Sequence, residues 1–402
     1  MTAQNATRMT SREKKSSITL ASIFALRMLG LFVILPVFAV YAHDLPGGDD
    51  AFMVGLTLGI YGLAQGVLQI PLGAASDRFG RKPVILAGLV VFAAGSLIAA
   101  SADTIWGIFL GRAVQGAGAI SAAVTAFISD SVRHAVITRA MAMVGASIGL
   151  TFALSMVIAP PLARLWGLPG IFLLTGVLAV AAVFVVRFIV PEAPGRHHEP
   201  EPDKTWREIA LEPQLLRLNI GIFVLHAALM AVFVVIPTRL TEMGLPSEHH
   251  WWVYLPAVLA GFTVMAPLII IGERRNAVVR IMRWVLGFFC AAFVLFAYLM
   301  HSIWEISFLL GLFFSGFNVL EATLPSLISR LAPPRDKGLA LGIYNTLQNF
   351  GLFAGGALGG WITLHWGAEA VFFTCAFAML LWLASAIGMK EPPRSGREPE
   401  EA

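Results

Sequence analysis

Long apolar runs separated by short polar segments dominate the chain. A helix needs about 20 consecutive apolar residues to cross the hydrocarbon core of a bilayer. A window of that length predicts twelve spans, at residues 17–42, 51–75, 82–101, 104–129, 137–163, 169–190, 218–242, 251–272, 278–300, 303–329, 337–364 and 368–389. The pattern therefore predicts an all-α membrane protein with twelve transmembrane helices.

The composition supports this interpretation. The 402 residues are 57% hydrophobic and only 13% charged, whereas soluble domains carry about 25% charged residues. The first apolar run is too long for a signal peptide, so we expect it to be retained as a span. The cysteines Cys290 and Cys375 lie inside apolar runs and form no disulfide or metal-ligand pattern. Because P-loop and GxSxG motifs are also missing, we expect no enzyme activity, no metal and no cofactor.

The positive charges indicate how the spans are oriented. If the N-terminus is cytoplasmic, 24 of the 28 lysines and arginines fall in tails and loops on the cytoplasmic side. Arg164 and Arg239 lie on the opposite side, and Arg27 and Arg112 lie within spans. This asymmetry follows the positive-inside rule and places both termini in the cytoplasm. The basic charge thus reflects topology, and we expect no nucleic-acid partner.

The longest loop divides the spans into six plus six. The predicted parts are an N-tail (1–16), a six-helix bundle (17–190), a cytoplasmic linker (191–217), a second six-helix bundle (218–389) and a C-tail (390–402). Short motifs recur at an offset near 200: "FVILP" from Phe32 recurs as "FVVIP" from Phe233, and Trp166-Gly167 recurs as Trp366-Gly367. Since each half has an even number of spans, we predict parallel repeats with pseudo-two-fold symmetry and a substrate site between them near the bilayer midplane.

Three motifs carry a family resemblance. The segment "GAASDRFGRKP" (73–83) contains G-x-x-x-D-R-x-G-R-K between spans 2 and 3, span 4 contains "GRAVQGAGAI", and span 1 contains "LGLFVILPVFAVY". With these motifs the sequence resembles the major facilitator superfamily (MFS), and within it the twelve-helix drug/proton antiporter group. "EATLPSLIS" and "GRKPVILAGLVVFAAGS" resemble the YajR-type transporters in particular. The resemblance covers residues 15–390 and implies proton-driven export of lipophilic small molecules or drugs by alternating access.

The sequence also departs from these patterns. The Gly-Pro-x-x-Gly-Gly element of drug antiporters reads "APPLARL" from Ala159, and the second-half copy of the loop motif reads "GERRNAVVR" from Gly272. YajR-type transporters usually carry a further cytoplasmic domain after span 12; here we expect only the short polar tail after Met389. Two alternatives therefore stay open, namely a proton-coupled carrier of a sugar or organic anion and a transporter-shaped sensor or scaffold.

The first motif predicts a conformational switch. Gly73 is expected to let span 2 approach a neighbour, and Gly80 to permit the turn into span 3. In the fold that the resemblance implies, Asp77 would meet the positive end of the span 11 helix, and Arg81 would pair with Asp130. The predicted switch comprises Gly73, Asp77, Arg78, Gly80, Arg81 and Asp130, and it would stabilise the outward-open state through reversible contacts.

Polar residues inside the spans are candidates for coupling and substrate contact, because ionisable groups in a bilayer are costly and functional by default. Glu321 would hold a proton in a desolvated site and release it when water enters, and His226 would exchange protons. Arg27 would line the cavity and Arg112 would stabilise a carboxylate. The alternatives are snorkelling for Arg27 and fixed hydrogen bonding or packing for the others.

Uncharged polar residues at helical spacing predict the rest of the cavity. Side chains three and four residues apart share a helix face, and a polar face avoids lipid. The predicted cavity residues are Gln65, Gln69, Gln115, Asn318, Asn345, Gln348 and Asn349. The expected partners are a small-molecule substrate, protons and the lipid bilayer, and nothing in the sequence requires more than a monomer.

Overall fold

Helices make up all the regular secondary structure in the described part of the chain. A computed structural model of the protein describes residues 9–133, 136–191, 204–333 and 335–392. The chain divides into two compact units, Met1–Glu199 and Pro200–Ala402. In the described residues the N-terminal unit contains α1 (Ser11–Phe32), α2 (Leu35–Ala42), α3 (Ala51–Phe79), α4 (Arg81–Ala100), α5 (Ile105–Ala117), α6 (Ser121–Ser131) and α7 (Ile137–Phe188).

Spans 1 and 4 are long and apolar enough to cross a membrane, as predicted, but each consists of two helices. Span 1 consists of α1 and α2, with the break just before Pro36; proline has no N–H to donate and its ring clashes with the carbonyl four residues earlier. Span 4 consists of α5 and α6, with the break after Ala117, where glycines such as Gly118 disfavour the helical conformation.

Predicted spans 5 and 6 join in the 52-residue α7. A helix of that length would extend about 78 Å, more than twice the thickness of the hydrocarbon core. Gly167 interrupts it with φ 61° and ψ −173°, a left-handed conformation that favours glycine. The two arms of α7 therefore serve as two spans.

The described residues of the C-terminal unit contain α8 (Trp206–Ala210), α9 (Pro213–Glu242), a 3₁₀ turn (Ser247–His249), α10 (Trp251–Arg275), α11 (Val278–Tyr298), α12 (Ile303–Leu331), α13 (Lys337–Trp366) and α14 (Ala368–Ala386). The predicted linker 191–217 is thus partly helical. Its end already belongs to α9, because Pro213 suits the first turn and the Glu212 carboxylate accepts from Leu215 N at 2.7 Å.

Ten helices or helix pairs among the described residues are long and apolar enough to cross a membrane. The two arms of α7 are a single helix in that set, and α13 is not in it. Polar residues such as Asn345, Gln348 and Asn349 lower the hydropathy of α13, although its 30 residues are long enough to span. The helices are therefore consistent with the twelve-helix fold.

Each unit packs around its own apolar core. Leu20, Ile85, Val124 and Phe127 belong to a buried cluster of the N-terminal unit. In the C-terminal unit α9 packs closely on α13, where a Cβ on Gly355 would lie 2.0 Å from Ala227 O. The glycines of "GLFAGGALGG" therefore serve close helix packing, as the sequence predicts.

The internal repeat is visible in the backbone of the two units. Gly80 (φ 100°) precedes α4, and Asn276 (φ 48°) precedes α11. Gly167 (φ 61°) and Gly367 (φ 84°) occupy the two Trp-Gly turns. Asn276 is the one non-glycine residue with positive φ among the described residues. The second half thus retains a turn with positive φ at this position, although its copy of the loop motif no longer matches the first in sequence.

Candidate functional site

Arg81 is the centre of the loop between α3 and α4. Its Nε donates to Asp130 Oδ2 at 2.9 Å, so the predicted pair is present. Its Nη1 lies 2.5 Å from Asp77 Oδ1 and donates to Ser76 Oγ at 2.7 Å. The Asp130 side chain is only 5% exposed, so Arg81 compensates a carboxylate that would otherwise be buried without a partner. The turn depends on Gly80, whose φ is 100°.

The other predicted switch residues are placed differently. A Cβ on Gly73 would lie 3.4 Å from Ala122 Cβ of α6, an ordinary contact, so the predicted close approach does not require glycine within this unit. The Arg78 guanidinium lies over the Phe79 ring, 5.4 Å from its centroid. The Asp77 side chain is 64% exposed, and its contact with the start of span 11 stays a prediction.

Two buried arginines of the N-terminal unit share one aromatic ring. Arg27 and Arg112 are 2% and 1% exposed, and their Cζ atoms lie 5.8 and 4.7 Å from the centroid of the Tyr61 ring. A cation over an aromatic face is attracted by the ring quadrupole, most strongly in a desolvated site. Tyr61 is not among the predicted residues, although it lies four and eight residues before Gln65 and Gln69 on one face of α3.

Polar side chains complete this arginine cluster. Arg27 donates to Ser121 Oγ at 2.6 Å and to Gln65 Oε1 at 2.5 Å. Because α6 begins at Ser121, the break in span 4 brings this hydroxyl to the arginine. These bonds hold the Arg27 side chain inside the bundle, which is inconsistent with snorkelling.

Arg112 is held in a similar way. It donates to Leu58 O at 3.3 Å and to Gln115 Oε1 at 3.2 Å, and Gln115 Nε2 donates to Ser96 Oγ at 2.8 Å. Among the described residues of the N-terminal unit, neither Arg27 nor Arg112 forms an ion pair with a carboxylate. The carboxylate expected beside Arg112 is therefore not found among the described residues of this unit.

Three predicted residues meet in the C-terminal unit. Gln348 Nε2 lies 2.7 Å from His226 Nε2 and donates to Glu321 Oε1 at 3.3 Å. His226 Nδ1 lies 3.3 Å from Ile222 O, and His226 Nε2 lies 3.7 Å from Glu321 Oε2. These contacts fit a neutral imidazole that donates from Nδ1 to the carbonyl and accepts at Nε2 from the Gln348 amide.

The remaining cavity candidates of the C-terminal unit lie on α12 and α13, the helices that carry Glu321 and Gln348. Asn318 packs against α10, since a Cβ on Gly261 would lie 2.8 Å from its Nδ2. Asn349 Nδ2 donates to Asn345 O on the same helix at 2.7 Å. Tyr344 is 2% exposed and was missed, although it lies one helical turn before Gln348.

The comparisons with known proteins decide the family. The family model described as Major Facilitator Superfamily matches residues 20–282 and 271–402. The chain belongs to the Major Facilitator Superfamily. It is 42% identical over 389 residues to the inner membrane transport protein YajR of Escherichia coli (strain K12). The aligned region covers 96% of this chain and 86% of that protein.

This MFS protein is also similar to a multidrug resistance protein and to a solved transporter structure. It is 26% identical to the multidrug resistance protein MdtH of Proteus mirabilis (strain HI4320), over 83% of this chain and 84% of that protein. The crystal structure of the nucleoside transporter NupG superposes with a TM-score of 0.72 at 14% identity, over 93% of this chain and 98% of that one. The chain is thus a multi-pass membrane transporter of the MFS fold rather than an enzyme, as predicted.

Proposed function

We propose that this MFS transporter is a proton-coupled antiporter of the bacterial inner membrane that exports lipophilic small molecules or drugs by alternating access. The observation that carries the proposal is the contact of Glu321, Gln348 and His226 inside the C-terminal unit. A carboxyl group and an imidazole bridged by one amide are a chemically suitable proton site. The similarity to a multidrug resistance protein supports a lipophilic cargo.

The amide of Gln348 would connect the two titratable groups. With His226 neutral, Gln348 Nε2 faces both His226 Nε2 and Glu321 Oε1. A proton on Nε2 would turn this nitrogen into a donor and require the amide to present its oxygen. That flip would break the bond to Glu321, so proton movement would change the hydrogen bonding of the carboxyl group.

The loop between α3 and α4 would supply the conformational switch. In the proposed topology both termini and this loop are cytoplasmic, following the distribution of lysine and arginine. The exposed Asp77 carboxylate would contact the start of α13 in the outward-open state and release it on opening to the inside. Arg81 would keep the loop folded through Asp77 and Asp130.

The proposed energy source is the proton gradient, and the proposed transporter works as a monomer without a cofactor. Because Arg27 and Arg112 are buried together and pair with no carboxylate in their own described unit, an organic anion is the second candidate cargo. A charged substrate would compensate these two cations on binding. A sensor or scaffold that moves nothing is the least supported alternative.

Purified protein in liposomes with an imposed pH gradient distinguishes these functions. We expect lipophilic cationic dyes to drive proton movement, whereas organic anions and sugars should not. The matched variant Glu321→Gln should abolish dye-driven proton movement and retain dye binding. Proton movement driven only by anions or sugars would favour the second candidate. Normal coupling in Glu321→Gln would remove the role of that residue, and the lack of any substrate response would contradict transport.

A further inference from the structure

A groove of about 540 Å³ opens at one end of the C-terminal unit, between the start of α9 and the end of α14. Its lining is apolar apart from Arg217, Ser385 and the backbone of Gly388. Leu211 and Ile387 at its edge are 66% and 68% exposed. Exposed apolar side chains beside the ends of two membrane helices are suited to contact with acyl chains.

Arg217 occupies a defined position on the rim of this groove. Its Nη1 donates to Gly388 O at 3.1 Å. A Cβ on Gly388 would lie 2.9 Å from Nη2 and 3.3 Å from Cζ of Arg217. The guanidinium therefore lies directly against the backbone of a residue that has no side chain. A guanidinium has five N–H donors, so the bond to Gly388 O, the one that Arg217 forms within the described residues, leaves donors for an anionic ligand.

The charge around the groove is positive. Among the described residues, no aspartate or glutamate lines it. Two acids lie close to these residues in the sequence. The Glu212 carboxylate accepts from Leu215 N at the start of α9, and the Glu391 carboxylate accepts from Val279 N and Arg280 N at the start of α11. The exposed Lys390 adds a second cation nearby, because its backbone N donates to Gln214 Oε1 at 3.0 Å.

We propose that this groove binds one anionic phospholipid, with the phosphate on Arg217 and an acyl chain along Ile220 and Ile387. Arg217 and Ile220 are three residues apart and share a face of α9, so the headgroup and the chain would be bound by one continuous surface. Arginine matches a phosphate with paired N–H donors, and basic pockets between membrane helices bind anionic headgroups. The site is independent of what the transporter carries.

Native mass spectrometry of the full-length protein tests this proposal. Protein would be exchanged from nanodiscs of phosphatidylcholine alone, or of phosphatidylcholine and phosphatidylglycerol in equal parts, and bound lipids counted by mass. We expect one phosphatidylglycerol to be retained in preference to phosphatidylcholine. Arg217→Gln should weaken that retention about fivefold, the effect typical of one cation near a membrane surface.

Two further variants make the test specific. Gly388→Val keeps every charge but displaces the guanidinium, so it should weaken retention like Arg217→Gln. Arg274→Gln removes an exposed arginine at the same end of the unit and should leave retention unchanged. Equal retention of the two lipids, or full retention in Arg217→Gln, would overturn the proposal. So would a dimer in the same spectra that Ile387→Lys dissociates, because a second copy would then occupy the groove.

Discussion

Arg81 and Asp130 form an ion pair between the start of α4 and the end of α6, with 2.9 Å between Nε and Oδ2. The Arg81 and Asp130 side chains are 16% and 5% exposed, so removing one partner leaves a nearly buried charge. We predict that Asp130→Asn lowers the free energy of unfolding by about 2 kcal/mol, because Arg81 loses this buried partner but keeps its contact with Asp77. Thermal unfolding in detergent measures this change.

Asp77, the exposed carboxylate that also contacts Arg81, provides the matched control for stability. Asp77→Asn should cost at most about 1 kcal/mol, because its side chain is 64% exposed and exposed ion pairs contribute little. Equal destabilisation by Asp77→Asn and Asp130→Asn would contradict the different structural roles assigned to the two carboxylates.

Transport should depend strongly on Asp77, although the stability of the protein should not. We predict that Asp77→Asn abolishes dye export without preventing membrane insertion, because the variant would lose the proposed contact with the start of α13. Cysteine labelling should then detect more inward-open protein. Asp103→Asn, an exposed acid at the other end of the unit, is the control and should transport normally. Unchanged export by Asp77→Asn would reduce the loop motif to an orientation signal.

The aromatic ring between the two buried arginines should stabilise the N-terminal unit. Tyr61→Leu removes the ring from Arg27 and Arg112, and we predict a loss of about 2 kcal/mol or more in the free energy of unfolding. Tyr61→Phe keeps the ring and removes a hydroxyl that has no hydrogen-bond partner among the described residues, so it should be nearly neutral. Comparable unfolding temperatures for the leucine and phenylalanine variants would argue against a cation–π role.

Gln348 should link the two titratable groups of the C-terminal unit. We predict that Gln348→Ala lowers dye-driven proton movement about tenfold, the effect of losing one hydrogen bond to a charged group. Thr346→Ala is the control, because this hydroxyl donates to Gly342 O on the same helix. Proton flux in liposomes distinguishes the variants; similar fluxes in both would show that the amide does not connect His226 and Glu321.

Close packing of α9 on α13 should be sensitive to a single methyl group. Gly355→Ala places a Cβ 2.0 Å from Ala227 O, and we predict a cost of about 1–3 kcal/mol. Gly342→Ala on the same helix meets nothing within 4 Å and should stabilise α13 by up to about 1 kcal/mol. Unfolding temperatures in detergent report both changes, and a Gly355→Ala protein as stable as the native one would contradict the packing role.

The sequence by itself determined the spans, the repeat, the family and the need for a turn at Gly80. Span length and apolar content follow from the thickness of the bilayer, and the loop motif places Arg81 next to a turn that requires Gly80. These properties are local or repeat along the chain, so they can be read without knowing which helices are neighbours.

Tertiary structure alone decided which polar side chains meet. Gln348 contacts His226 and Glu321, which lie 122 and 27 residues away in the sequence. Tyr61 lies against Arg27 and Arg112, and the three residues belong to three different helices. Helical periodicity shows which residues share a face, but the neighbour of each face depends on how the helices rotate and pack. Close glycine contacts such as Gly355 against Ala227 set that rotation, because side-chain and backbone shapes at the interface permit only certain helix approaches.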